Sequence, residues 1–154
     1  MIPAHPRVLF KIVTPRRYID GDHAAEIAGD VYGGAFRREP ELVERTLRHV
    51  RFSSKGGYYL QLAAAFGWTS LPWLFLLRQP TLVMAGADDP IVPVVNARIM
   101  QWLIPDARVA ILDCGHLFLV TLAAESARVV DAFLTEPNAR ETAARNTSLF
   151  RRTP

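Results

Sequence analysis

Residues 81–86 read Thr-Leu-Val-Met-Ala-Gly, and residues 108–112 read Arg-Val-Ala-Ile-Leu. An apolar run without alternating polar residues is typical of a short strand that helices cover on both faces of a sheet. A helix is predicted between the two runs, beginning near Pro93. A strand, a crossover helix and a second strand form a βαβ unit, which requires parallel pairing and a right-handed connection. The sequence therefore predicts an α/β fold class.

Helical patterns surround this unit. The expected inner face of the crossover helix consists of Val95, Ile99, Trp102 and Leu103. The other predicted helices are a short one that ends at Val31 and is capped by Asp22 or Gly21, and those at Glu41–Phe52, Gly57–Phe66, Trp73–Leu77 and Phe118–Leu134.

The composition divides the chain into three parts. Residues 1–79 contain helical patterns and no convincing strand, whereas residues 80–135 hold the βαβ unit and a last helix. Residues 136–154 are rich in Arg, Thr, Asn and Ala and lack a periodic apolar face, so we expect a flexible tail.

Composition and charge exclude several classes of protein. Half of the 154 residues are hydrophobic and the formal net charge is only +3, which argues against disorder and against a nucleic-acid-binding arm. The single cysteine fits a reducing compartment, and the first 25 residues do not resemble a secretory signal. The most apolar stretch, Tyr59–Leu77, is interrupted by polar residues, glycine and proline, so no transmembrane segment is predicted. We therefore expect a cytoplasmic protein.

Two strands are too few for the sheet that they imply. A two-stranded parallel sheet is not independently stable and needs neighbouring strands. Either another chain supplies those strands or the sequence is part of a larger fold. The expectation is association with a complementary half or self-association.

Two turns follow the predicted strands and carry polar side chains. Asp88 and Asp89 follow the first strand, and Asp113, Cys114 and His116 follow the second. Ligands of open α/β sheets lie at the carboxyl ends of the strands. An acid there can accept the Nδ1–H of a histidine, and that histidine can act as a general base. Asp113 is an alternative acid, although its place at the strand end favours a turn role.

The first turn and its strand, Gln79–Pro93, resemble the penultimate strand and acid loop of α/β-hydrolases, and Cys114–Leu119 resembles their histidine loop. Other stretches are similar to the intracellular poly(3-hydroxyalkanoate) depolymerases of the medium-chain-length type. They are Pro15–Ile19, Val31–Arg38, Gly56–Leu62 and Gly67–Ser70. The likeness extends from about residue 2 to about residue 135.

The resemblance implies roles for individual residues. Asp89 corresponds to the triad acid, because the family places it three residues after the glycine and four before Pro93. His116 corresponds to the triad base. The family's nucleophilic serine lies in a G-x-S-x-G turn, and this sequence contains no such motif. The expectation is the C-terminal part of an α/β-hydrolase fold, in which residues 1–79 form a helical cap and residues 80–135 the last two parallel strands and last helices.

The resemblance also implies a substrate. The family hydrolyses polyester stored in granules, without a metal or organic cofactor. Aromatic residues of the cap are weak candidates for contact with the acyl chain: Tyr58, Tyr59, Trp68 and Trp73. Helix packing is the alternative role for these side chains. Two alternative functions remain open, another esterase or lipase of this fold and a catalytically inactive truncated product.

Overall fold

The two predicted strands form a parallel pair. The structure is a computed structural model, and it describes residues 1–39, 41–47 and 54–136. Strand β1 (Thr81–Gly86) pairs with β2 (Ala107–Leu112) in a register that runs from Thr81 opposite Ala107 to Gly86 opposite Leu112. A helix connects the two strands, so the predicted βαβ unit is confirmed.

Helices precede, connect and follow the two strands along the chain. They are α1 (Pro6–Ile12), α2 (Gly21–Tyr32), α3 (Ala35–Arg38), α4 (Glu41–Leu47), α5 (Lys55–Ala65), α6 (Val95–Leu103), α7 (Phe118–Thr121) and α8 (Ala123–Thr135), with 3₁₀ helices at Pro15–Tyr18 and Leu71–Leu76. The predicted tail, apart from Glu136, and the end of the helix predicted over Glu41–Phe52 lie outside the described residues. Within the described part, no helix is both long and apolar enough to cross a membrane.

Several helix boundaries differ from the predictions. Helix α2 is capped by Asp20, whose carboxylate accepts the N–H of His23 at 3.0 Å, and not by Asp22 or Gly21. The helix predicted over Phe118–Leu134 is two helices, because the backbone leaves helical geometry at Leu122 (φ −123°, ψ 43°). The segment expected at Trp73–Leu77 is the 3₁₀ helix that begins at Leu71.

The predicted inner face of α6 is only partly confirmed, because Leu103 packs against buried residues around the sheet while two other members are exposed. Trp102 is 83% exposed, and Val95 is exposed as well, whereas Asn96 and Ala97 are buried. This short helix carries apolar residues on two sides, so periodicity alone does not select the buried one. The side of α6 that is buried carries a long-range contact. The Asn96 amide accepts the N–H of Ile2 at 2.7 Å and donates to the Ile2 carbonyl at 2.8 Å.

The described residues form two apolar clusters. The first lies within the helical region and contains Ile27, Ala28, Val31, Tyr32, Phe36 and Val43. The second joins the sheet to α6 and the 3₁₀ helix before β1, and it contains Leu74, Val83, Ala85, Ala97 and Ile104. Side chains on the opposite face of β1 are only half-buried, as are most of those of β2. The expected burial of the strands on both faces is therefore not observed.

Glycines allow the helical region to meet the ends of both strands. Helix α2 ends at Gly33 and Gly34, which have φ values of 65° and 52°. A Cβ on Gly34 would lie 2.2 Å from the nitrogen of Gly115, and a Cβ on Gly115 would lie 1.9 Å from the carbonyl oxygen of Tyr32. Real Cβ atoms do not approach other atoms so closely. Glycine at these positions is therefore a condition for this contact.

The contact makes Gly115 sensitive to a single added methyl group. We expect Gly115→Ala to lower the free energy of unfolding by about 3 kcal/mol, because backbone must move to admit the Cβ. The matched control is Gly56→Ala, since Gly56 lies in α5 and a Cβ there would meet no other atom within 4 Å. That change should leave stability unchanged or raise it by less than about 1 kcal/mol. Urea unfolding followed by circular dichroism measures both; equal midpoints for the two variants would contradict the contact.

Candidate active site

The loop after β1 holds a buried carboxylate. Asp89 follows the strand end by three residues, and its side chain is only 5% exposed. One carboxylate oxygen, Oδ1, accepts the backbone N–H groups of Ile91 and Val92, each at 2.9 Å. These bonds close the loop upon itself, as an aspartate at a turn commonly does. The second oxygen, Oδ2, is thereby directed away from the loop backbone.

The loop after β2 places a histidine against that second oxygen. His116 Nδ1 lies 2.9 Å from Asp89 Oδ2. The backbone N–H of His116 donates to the carbonyl of Tyr32 at 2.7 Å, so the end of α2 supports the loop. An ionised carboxylate only accepts hydrogen bonds, which places the proton on Nδ1 and leaves Nε2 as the basic nitrogen. The His116 side chain is 32% exposed, in contrast to its buried partner.

The other polar residues of the two turns have different partners. Asp113 is exposed and makes no hydrogen bond to His116 within the described structure. Cys114 is buried, and its Sγ lies 2.9 Å from Thr121 Oγ1. The structure thus pairs Asp89 with His116. Asp113 and Cys114 take no part in that hydrogen bond.

Asp88, the neighbour of Asp89, has partners that the sequence did not reveal. Its Oδ2 accepts the N–H of Gly34 at 2.7 Å and the Nε–H of Arg37 at 2.9 Å. Burial raises the pKa of Asp88, but the Gly34 N–H and the charge of Arg37 outweigh it, so the pKa lies below its ordinary value. Arg37 precedes Asp88 by 51 residues, so no local sequence pattern connects the two.

The ion pairs extend from Arg37 into α1. Arg37 Nη1 lies 3.8 Å from Asp30 Oδ1, and Asp30 in turn pairs with Lys11. The hydrogen bond from Lys11 is the main cause that lowers the pKa of Asp30, and the charge of Arg37 adds to it. The side chains of this network are partly exposed, so each pair contributes little stability by itself.

The four aromatic candidates do not share one environment. Tyr58 is partly buried, and its hydroxyl bonds to Arg17 at 2.9 Å and to the carbonyl of Ile12. Tyr59, Trp68 and Trp73 are 49%, 73% and 66% exposed. A cavity of about 450 Å³ borders Asp89, but charged residues of α1 and α2 line much of it and none of the four aromatic residues does. The hydroxyl of Tyr58 is therefore engaged within the helical region, while the other three residues present aromatic surface.

No metal site emerges from the described ranges: residues 1–39, 41–47 and 54–136 contain no group of three or more His, Cys, Asp or Glu side chains arranged to hold an ion. Independently of that finding, Asp89 and His116 form a hydrogen-bonded carboxylate–imidazole pair. Such a unit can take a proton from a nucleophile and return it to a leaving group.

Comparison with known families agrees with this fold and geometry. Residues 15–121 match the family model of the alpha/beta hydrolase fold. The chain belongs to the α/β-hydrolase family, and the predicted fold class is confirmed.

A curated member of that family is similar to this chain in sequence over most of the chain's length. The chain is 47% identical over 140 residues to the poly(3-hydroxyalkanoate) depolymerase of Ectopseudomonas oleovorans. The match covers 91% of this chain and 50% of that protein. The resemblance drawn from the sequence is therefore confirmed, and the chain spans about half the length of this curated relative.

Solved structures show the same fold at lower identity. An enol-lactonase from Burkholderia xenovorans LB400 superposes with a TM-score of 0.66 at 24% identity, covering 83% of this chain and 50% of the enzyme. An esterase from Exiguobacterium antarcticum gives a TM-score of 0.66 at 17% identity, covering 84% of this chain and 48% of the esterase. At such identities the likeness supports the fold and not the substrate.

The geometry predicts a specific histidine tautomer. In the wild-type chain, ¹⁵N NMR of His116 should show the proton on Nδ1, because Asp89 accepts it. In Asp89→Asn the amide offers the ring an N–H in place of one acceptor oxygen, so we expect the Nε2-protonated form to dominate. The matched control is Asp113→Asn, which should leave the spectrum unchanged. A tautomer that changes in Asp113→Asn and not in Asp89→Asn would show that Asp113, and not Asp89, is the partner of His116.

Proposed function

We propose that this chain supplies the acid and the base of a serine-hydrolase site that cleaves ester bonds of a poly(3-hydroxyalkanoate). The observation that carries the proposal is the 2.9 Å contact between His116 Nδ1 and Asp89 Oδ2, made by a carboxylate that is 5% exposed. A serine hydroxyl attacks the ester carbonyl in such a site, and His116 Nε2 takes its proton. Asp89 holds the ring and stabilises the imidazolium form.

Burial of the acid supports this role. Asp89 has little access to water, so its charge is poorly screened and acts on His116 more strongly than an exposed carboxylate would. Its Oδ1 is already held by two backbone N–H groups, which fixes the direction of Oδ2. A base that keeps its position and tautomer without rearrangement is what general-base catalysis requires.

The nucleophile is proposed to come from a G-x-S-x-G turn outside this sequence. In the α/β-hydrolase order of Ser, Asp and His, the acid and the histidine follow the serine. The chain contains the second and third members in that order and no G-x-S-x-G motif. We propose accordingly that residues 1–79 act as a helical cap over the site and residues 80–135 as part of the hydrolase core.

The choice of a polyester rests on the depolymerase relative and on an uncharged aromatic surface. Residues 56–77 contain no charged side chain, and Phe66, Trp68 and Trp73 are 90%, 73% and 66% exposed. Exposed apolar patches of this kind commonly mark interaction sites. A water-insoluble polyester presents an apolar surface of matching chemistry, so we propose that the chain contacts polymer granules here.

Ester hydrolysis tests the acid–base role. The purified chain is assayed alone and after co-expression with the portion of the Ectopseudomonas oleovorans depolymerase that it does not match, using p-nitrophenyl octanoate and polymer latex. We expect turnover only in the second case, and a loss of about 10³-fold or more with His116→Ala.

Two controls define the outcome of this assay. His23→Ala removes a histidine of α2 that lies outside the proposed site and should leave the rate unchanged. Activity that survives His116→Ala would refute the acid–base role, and His116-dependent turnover by the chain alone would refute an external nucleophile. Comparable rates on short soluble esters and no hydrolysis of the polymer would favour a general esterase.

Binding to polymer tests the aromatic surface separately. The double variant Trp68→Ser/Trp73→Ser should reduce sedimentation of the chain with poly(3-hydroxyalkanoate) latex by roughly tenfold, because it removes two exposed apolar side chains. Trp102→Ser is the matched control, since Trp102 is 83% exposed but lies on α6. An equal loss with Trp102→Ser, or no loss with the double variant, would contradict a specific surface at residues 56–77.

A further inference from the structure

Asp88 and Asp89 are neighbours in sequence with opposite surroundings. The carboxylate of Asp89 is buried against His116, whereas that of Asp88 is half-exposed and faces the turn at Gly33–Gly34. Asp88 therefore does not touch the proposed acid–base pair. The partners of its carboxylate are Gly34 and Arg37.

Three hydrogen bonds link Asp88 to the histidine loop in a closed ring. The N–H of Asp88 donates to the carbonyl of Cys114 at 3.0 Å, and two residues later the N–H of His116 donates to the carbonyl of Tyr32 at 2.7 Å. Two residues after Tyr32, the N–H of Gly34 donates to the carboxylate of Asp88 at 2.7 Å. The ring thus passes through the acid loop, the histidine loop and the end of α2. Two of its members are His116 and Asp88, and Asp88 precedes Asp89 in the sequence.

Only one member of this ring is held by a side-chain charge. The other two bonds join backbone groups, whereas the Gly34 N–H meets an ionised carboxylate that Arg37 also contacts at 2.9 Å. Charge-assisted hydrogen bonds are shorter and stronger than neutral ones. A Cβ on Gly33 would lie 2.0 Å from the carbonyl oxygen of Asp88, so no side chain fits there. The turn therefore cannot be held by side-chain packing at Gly33 in place of this hydrogen bond.

We propose that Asp88, together with Arg37, is a positioning residue for the Asp89–His116 pair: it fixes the turn at Gly33–Gly34, and that turn fixes the histidine loop. The inference rests on the proposed function, because it assigns a task to the residue beside the proposed acid. It goes further by placing part of the site's organisation in α3, which contributes no group to the acid–base pair. A substitution at Arg37 is therefore expected to disturb His116 across two intervening segments.

The test measures the ring directly in the full chain. In Asp88→Ala, amide hydrogen exchange followed by NMR should accelerate by about tenfold or more at Gly34, which loses its acceptor, and also at His116. The ¹⁵N signals of the His116 ring should change from one tautomer to a mixture. Faster exchange at Gly34 with wild-type behaviour of the His116 amide and ring would overturn the proposal, since Asp88 would then hold the turn alone.

Conservative variants keep the test decisive if Asp88→Ala does not fold. Asp88→Asn retains an acceptor oxygen and removes the charge, and Arg37→Met removes the partner; both should give the same, smaller changes at His116. Arg37→Lys restores a positive charge and should return the His116 signals toward the wild type. Asp131→Asn, an exposed position on α8, is the matched control. No response of His116 to either Asp88→Asn or Arg37→Met would refute the role of the ion pair.

These signals are independent of ester hydrolysis. If the hydrolase assay fails while His116 responds to Asp88 and Arg37, the proposed function is wrong and the positioning network stands. If hydrolysis depends on His116 but the NMR signals ignore both residues, the proposed function stands and Asp88 has no positioning role.

Discussion

The structure depends on the close approach of three backbone segments that no side chain separates. The end of α2, the loop after β1 and the loop after β2 meet at Gly33, Gly34 and Gly115, where any Cβ would lie within 2.2 Å of another segment's backbone. The two apolar clusters are separate, one within the helices and one between the sheet and α6. The glycine contact and its hydrogen bonds, with Ile91 and Leu117 packed against the first cluster, therefore join the helical region to the strand ends.

The same contact explains how adjacent aspartates come to have different tasks. In the loop after β1, the side chain of Asp89 contacts His116 and that of Asp88 contacts the turn at Gly34, so successive side chains have different neighbours. Asp89 is directed to an imidazole and is removed from water, whereas Asp88 is directed to a backbone N–H and a guanidinium and keeps partial exposure. The chemical difference between the two carboxylates arises from their surroundings, because the residues themselves are identical.

Sequence patterns predicted the parts of this arrangement that are local or follow from topology. The apolar runs identified both strands, and parallel pairing placed Asp89 and His116 at the same sheet edge. Long-range partners left no local pattern. The buried side of α6 contains Asn96, which bonds to Ile2, 94 residues earlier in the sequence. Asp88 likewise bonds to Arg37, which is 51 residues earlier. Periodicity could not select the buried side of α6, because apolar residues occupy both sides.

The unequal exposure of the two site residues bears on the direction of any reaction. Asp89 is 5% exposed and His116 is 32% exposed, so the pair is closed on the carboxylate side and open on the imidazole side. Nδ1 is occupied by the acid, which leaves Nε2 as the nitrogen that exchanges protons with a reacting group. Under the proposed function, the serine and the ester must therefore approach from the exposed edge of the ring. The buried acid and the backbone bond to Tyr32 hold that edge in place before any substrate arrives, which is the preorganisation that proton transfer at a fixed site requires.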